Sequence, residues 1–205
     1  MIGIVDYGMG NLRSLRNALD YLGIDAELVT EPARIAELPR VIVPGVGAFG
    51  RAMENLNAHG FTAALRAHAA AGKPLLGICL GMQLLASRSA EFGAHEGLDL
   101  VPGAVVPIEP RDDRPVPHVG WNTVIPKRSH PLLARVKRSV DYYFVHSFHF
   151  TTADAADVIA TTDYGGDLSS VVGRGSVVGC QFHPEKSQAG GLALLEGFAE
   201  WDGTC

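Results

Sequence analysis

The sequence predicts an α/β fold: an open, mostly parallel sheet flanked by helices, with an additional antiparallel strand region. Two observations predict it. In the first half, short apolar runs alternate with stretches of helical periodicity. From Gly103 to Gly179 the pattern changes to short strands separated by turns. Buried apolar strands that alternate with helices must be covered on both faces, and parallel sheets are built that way. The 205 residues suit one α/β domain. No repeat, low-complexity tail or linker interrupts them, so residues 1–205 are read as a single domain.

The elements follow in order. IGIV (2–5) is a short apolar run before a Gly-rich turn, and reads as a first strand. NLRSLRNALDYL places Leu12, Leu15, Leu19 and Leu22 on one helical stripe. AELV (26–29) and VIVP (41–44) are the next strands, the latter ended by Pro44. Residues 48–72 are Ala-rich with helical periodicity and read as two short helices. PLLGIC (74–79) is a fourth buried strand, and LGMQLLASR continues as a helix. In the second half VVPI, VGWNTV, VDYYFVHSFHF, VIATTDY, LSSVVG and SVVGCQF read as strands, and EPRDDRPVP (109–117) as an exposed loop. Gly190 and Gly191 interrupt a C-terminal helical pattern.

Composition narrows the function classes. A net charge of -5 gives no footprint for nucleic acid or an anionic membrane surface. No stretch reaches the ~18 uninterrupted apolar residues of a membrane-spanning helix. The start has no basic region and meets Asp6 at once, which is unlike a signal peptide. Three widely spaced cysteines, Cys79, Cys180 and Cys205, make no C-x-x-C pair. A disulfide framework or zinc ribbon is therefore not expected, and reduced thiols in the cytoplasm are. Cys205 is the last residue, and Cys180 lies in an apolar run where a small buried thiol is common.

Cys79 differs. It sits in G-I-C-L-G (77–81), between a buried strand and a helix. A nucleophile on so sharp a turn needs small neighbours two before and two after, here Gly77 and Gly81. The turn lifts the sulfur to the carboxyl edge of the sheet, and the helix from Leu80 presents free N–H groups to it. The plain alternative is a core cysteine among packing glycines. F-H-P-E (182–185) follows another apolar run. In extended chain His183 and Glu185 point to the same side, so Glu185 can hold the ring of a base that faces the thiol. The alternative is a surface His beside a surface Glu. G-V-G-A-F-G (45–50) matches a dinucleotide fingerprint. It follows the third strand rather than the first, Pro44 precedes it, and no acidic residue stands ~20 positions on. An oxyanion loop, offering a backbone N–H to a tetrahedral intermediate, fits better.

These three motifs in this order resemble the triad glutamine amidotransferases. D-Y-G-M-G-N-L (6–12), P-G-V-G-A-F (44–49), G-I-C-L-G-M-Q (77–83), H-V-G-W-N (118–122) and H-P-E-K-S (183–187) together are similar to the glutaminase subunits of imidazole glycerol phosphate synthase. The resemblance implies the flavodoxin-like fold of the class I amidotransferases. It implies Cys79 as nucleophile, His183 as proton shuttle and Glu185 as its orienter. Gly47 and Leu80 would supply oxyanion N–H groups, and Gln83 and Glu91 would recognise glutamine. His146, Ser147 and Phe148 would line the pocket. The partner implied is a (β/α)₈ cyclase subunit that takes up ammonia in histidine biosynthesis. Asn11, Trp121, Asn122 and Lys186 would face it. Trp121 read alone is equally a core aromatic, and Lys186 a solvated charge. No cofactor or metal is implied. A γ-glutamyl hydrolase-like cysteine hydrolase and a non-catalytic subunit are the rival classes.

Overall fold

The computed structural model describes residues 1–111, 114–136 and 140–204. The first half holds β1 (Ile2–Val5), α1 (Leu12–Tyr21), β2 (Ala26–Val29), β3 (Val41–Gly45), α2 (Phe49–Ala58), α3 (Phe61–Ala70), β4 (Leu75–Cys79) and α4 (Leu80–Leu84). Each expected strand and helix of this half is present. Leu15, Ala18 and Leu19 form the buried stripe of α1, as its periodicity requires.

The second half holds β5 (Arg88–Ser89), β6 (His95–Glu96), β7 (Gly103–Pro107), β8 (His118–Pro126), β9 (Val140–His146), β10 (Phe148–Thr152), β11 (Val158–Asp163), β12 (Asp167–Arg174), β13 (Val177–Cys180) and α5 (Gln188–Glu200). The strand order is β2-β1-β3-β4-β13-β12-β10-β7-β5-β6. Pairing is parallel from β2 to β13, then antiparallel as far as β7. β8 and β9 make an antiparallel ribbon that joins the sheet through β11.

Alternate residues of the parallel strands supply two cores. Val41, Val43 and Leu75 pack with α2 and α3 on one face, among Phe49, Leu56, Phe61 and Leu65. Ile42, Leu76 and Ile78 face the other way, onto Leu15, Leu19, Leu194 and Phe198. This is the period-2 alternation of a sheet covered on both sides.

Register then sets the position of the chemistry. Gly45 pairs with Cys79, and Cys180 pairs with Ile78. Three adjacent strands therefore end together, at the carboxyl edge where open α/β sheets bind ligands.

Three expectations are corrected. The helix after Cys79 ends at Leu84 and does not run on through Arg88. The segment 97–101 removes its continuation: Leu98 N–H donates to the Leu84 carbonyl, Leu100 and Val101 to Leu85, and Asp99 to Ala86. VDYYFVHSFHF is two strands broken at Ser147, because the chain leaves the β8–β9 ribbon there and enters the main sheet beside β7. Gly190 and Gly191 lie inside α5 rather than interrupting it. A Cβ on Gly191 would stand 1.9 Å from the Pro184 carbonyl oxygen, so glycine there permits close approach, not a break. Of the 109–117 loop, Arg111 and Arg114 pair as a short bridge, while Asp112 and Asp113 lie outside the described residues, as does Cys205.

Candidate active site

Cys79 ends β4 with φ 54° and ψ -112°. That backbone is strained for a residue with a Cβ, at roughly 1–3 kcal/mol. The surroundings impose it. A Cβ on Gly81 would lie 1.8 Å from the Val43 carbonyl oxygen, and one on Gly77 would lie 2.5 Å from the Gly81 carbonyl oxygen. The two glycines therefore let the strand turn back on itself and bring the buried Cys79 to the cleft floor. Cys180, by contrast, is wholly buried, and burial pushes its thiol well up.

His183 leaves β13 one strand away. Its Nδ1 pairs with Glu185 Oε1 at 2.8 Å, and both side chains are buried. That fixes Nδ1 as donor and turns Nε2 inward; Nε2 has no partner of hydrogen-bonding geometry. Burial alone would lower the basicity of His183. The Cys79 sulfur and the Glu185 carboxylate outweigh it and raise the imidazole to about 9. A short, well-aligned bond from Nε2 to the thiol is not required before substrate binds. The surface-loop alternative for His183 is excluded by its burial. The H-P-E segment is also stitched to β9: His183 N–H donates to the Tyr143 carbonyl, Ser187 Oγ donates to the His183 carbonyl at 2.6 Å, and Tyr143 N–H donates to Ser187 Oγ.

The third motif crosses the same edge. Gly47 has φ 106°, and β3 hands over to α2 through it. The D-Y-G-M-G-N-L segment buttresses this loop. Tyr7 donates its hydroxyl to the Pro44 carbonyl at 2.8 Å, and its ring lies so close to Gly45 that a Cβ would stand 2.6 Å from that oxygen. Leu80 begins α4, so its N–H lacks an intrahelical partner.

A cleft of 660 Å³ opens above Cys79. That size suits a small polar metabolite. It is lined by all of Gly47, Leu80, Gln83, Glu91, His146, Ser147 and Phe148, together with Cys79, His183 and Lys186. Glu91 Oε2 accepts the Phe49 N–H at 2.7 Å, which ties the cleft wall to the start of α2. Gln83 Nε2 donates to the Phe148 carbonyl and to Gln181 Oε1, both at 3.0 Å. Phe148 supplies no hydroxyl here. Its ring meets Phe92 edge-on, and Phe92 is 86% exposed at the cleft mouth.

Asn11 caps α1 without a side-chain hydrogen bond. Trp121 and Asn122 lie on β8. Trp121 is 48% exposed, edge-on to Tyr143, so it is not a core aromatic. Lys186 Nζ sits over the Tyr143 ring at 5.8 Å. Val46 of the loop 44–47 also lines the cleft, as do Phe92, Pro117 and Val145, which sequence patterns alone did not mark. Gln181 was missed as well; its signal was a lone polar residue in the apolar run VVGCQF. Among the described residues no helix is long and apolar enough to cross a membrane.

An elbow cysteine facing a His–Glu pair across the carboxyl edge of a parallel sheet points to one class. The chain belongs to the class-I glutamine amidotransferases, whose family it matches over residues 3–200. A solved structure described as a glutamine amidotransferase aligns with 96% of this chain and 98% of its own, at a TM-score of 0.75 and 23% identity. At that identity the likeness speaks for the fold. Sequence relatives are nearer. The imidazole glycerol phosphate synthase subunit HisH of Lacticaseibacillus casei is 52% identical over 201 residues, 98% of this chain and 95% of that one. The subunit HisH of Syntrophotalea carbinolica is 43% identical, covering 98% and 100%. Within the class, the chain belongs to this HisH family.

Proposed function

We propose that the chain hydrolyses glutamine to glutamate and ammonia, and delivers the ammonia to a separate cyclase chain in histidine biosynthesis. The observation that carries this is the strained Cys79 elbow, set in the cleft floor opposite the buried His183–Glu185 pair. The family membership supports it.

Cys79 gives its thiol proton to His183 Nε2, and its Sγ attacks the carboxamide carbon. The oxygen becomes an oxyanion held by the N–H groups of Gly47 and Leu80. His183 gives its proton to the nitrogen, the C–N bond breaks, and ammonia leaves a thioester. His183 then takes a proton from water, and the hydroxide opens the thioester to glutamate and the free thiol. Glu185 holds the ring in one tautomer through both steps. Glu91 offers a carboxylate to the ammonium group of glutamine, and the Ser147–Phe148 backbone borders its aliphatic chain.

The acceptor chemistry belongs to the partner. A (β/α)₈ cyclase would receive the ammonia and make imidazole glycerol phosphate and aminoimidazole carboxamide ribotide. Asn11, Trp121, Asn122 and Lys186 would face it. Val119, Trp121 and Val145 form an exposed apolar patch on the β8–β9 ribbon, and Val145 is shared with the cleft wall. Such a patch beside the site suits a partner that both docks and reports its state. The Pro44–Gly47 loop, flexible at its glycines, would be the element it acts on. Mixing the chain with the cyclase should yield a complex whose glutaminase rate exceeds that of the chain alone. Trp121→Ala should weaken the complex at least tenfold. Equal rates with and without the cyclase would remove the coupling.

A further inference from the structure

Around the cleft, the Gln83, Gln181 and Asn122 amides and the His118 and His146 imidazoles have their hydrogens fixed by their neighbours. The Phe148 carbonyl can only accept. His146 Nδ1 lies 2.8 Å from it, so Nδ1 carries the proton and Nε2 is an acceptor. His118 Nδ1, 3.0 Å from that Nε2, must then be the donor, which leaves His118 Nε2 to accept from Asn122 Nδ2 at 3.3 Å. Burial holds both rings neutral: His118 is lowered to about 4, with Arg114 adding to the effect, and His146 to about 3. Gln83 also reaches the Phe148 carbonyl, so the atom there is its nitrogen, and its second N–H goes to Gln181 Oε1. The Gln181 amide is thereby oriented with its nitrogen on the other side. That nitrogen lies 3.8 Å from Cys79 Sγ.

We propose that Gln181 is a further catalytic residue, donating an amide N–H to the Cys79 sulfur as it gives up its proton and attacks. The contact is with the reacting atom itself. Gln181 has no exposed surface, and its backbone N–H is tied to the Ser170 carbonyl, so the side chain is presented from a rigid strand end. A flipped amide would set its oxygen against the sulfur and its nitrogen against the Gln83 nitrogen, two repulsions at once. The sulfur's other close contact is the Val145 carbonyl oxygen at 4.0 Å. A thiol proton can point there. Once His183 takes that proton, the carbonyl faces the sulfur's lone pairs, and the Gln181 N–H joins the protonated His183 in favouring the negative charge. Two donor arms converge on the Phe148 carbonyl, one from Asn122 through His118 and His146 and one from Gln83, and it is the Gln83 arm that orients Gln181 toward the sulfur.

The inference rests on the reading of Cys79 as nucleophile, and one experiment separates the two. The rate of Cys79 carboxamidomethylation by iodoacetamide is measured between pH 6 and 10, by mass spectrometry of the Cys79 peptide, for the wild type, Gln181→Met and Gln181→Glu. Methionine keeps the volume without the donor; glutamate keeps the shape and adds a negative charge. Circular dichroism and thermal melting select the variants that remain folded. A tenfold or greater fall in rate at neutral pH is expected for Met, with the rate–pH curve displaced to higher pH, and a larger fall for Glu. Glutaminase kcat should fall by about the same factor in the presence of cyclase, with KM little changed. Coincident curves for the wild type and either folded variant would overturn the role of Gln181 and leave Cys79 as nucleophile. A wild-type Cys79 no more reactive than a free cysteine would overturn both.

Discussion

At Cys79 the chain holds a φ of 54° in a residue that carries a Cβ, and the strain is maintained by what surrounds it. Gly81 is the tightest point, with its missing Cβ 1.8 Å from the Val43 carbonyl oxygen. That neighbour is backbone in a central strand and cannot turn aside. Gly81→Ala should therefore lower stability by about 3 kcal/mol or more, or flatten the elbow and abolish glutamine hydrolysis while the fold persists. Urea denaturation with a parallel activity assay distinguishes these outcomes from tolerance. The elbow was legible in the sequence because the glycines flank Cys79 at the spacing the turn demands. Glu185 was legible as the partner of His183, but not through extended chain as expected: Pro184–Lys186 is a 3-10 turn that brings its carboxylate back to the ring. Gln181 was not, because its function comes from residues 98 positions away, Gln83 among them, and nothing local to VVGCQF reveals that its amide is oriented.

Among the elements, β1, β3 and β4 stand close to their apolar runs, since a strand buried on both faces has nothing polar to blur its limits, while β2 is a half-exposed edge strand. The misread elements share one cause, packing against a segment outside the element itself. The helix after Cys79 stops because residues 97–101 take its carbonyls. Gly190 and Gly191 of α5 are packing glycines because Val140 lies against the first and Pro184 against the second. The break at Ser147 follows from a change of sheet, with no Gly or Pro to announce it. The β8–β9 ribbon also places buried histidines in the fold. Burial lowers His118 to about 4, His130 to about 4 and His146 to about 3, against 6.5 for the unfolded chain. A lowered imidazole contributes stability that is present above about 6.5 and lost as pH falls through the folded value. His183 is raised to about 9, so its contribution is present below about 6.5 and lost as pH rises through 9. Stability should therefore peak near pH 6.5–7 and fall by several kcal/mol toward pH 4. Denaturation midpoints that stay level from pH 6.5 to 4 would contradict the buried, neutral histidines.

Over the whole molecule, one sheet carries two tasks. Its parallel half aligns the ends of β3, β4 and β13, so that the Pro44–Gly47 loop, Cys79 and His183 arrive at one edge. Its antiparallel half closes the cleft and carries the exposed ribbon to one side. In the proposed function, catalysis and partner docking share β9, whose Tyr143 binds the His183 backbone on one side and meets Trp121 on the other. The account stands on the claim that Cys79 makes ammonia for another chain to use. The direct measurement is glutamate release and product formation by the complex with cyclase, comparing wild type with Cys79→Ala, with either glutamine or ammonium as nitrogen source. Loss of glutamate release and of glutamine-dependent product, with ammonium-dependent product retained, is the predicted result; glutamine hydrolysis at the wild-type rate in Cys79→Ala would contradict it.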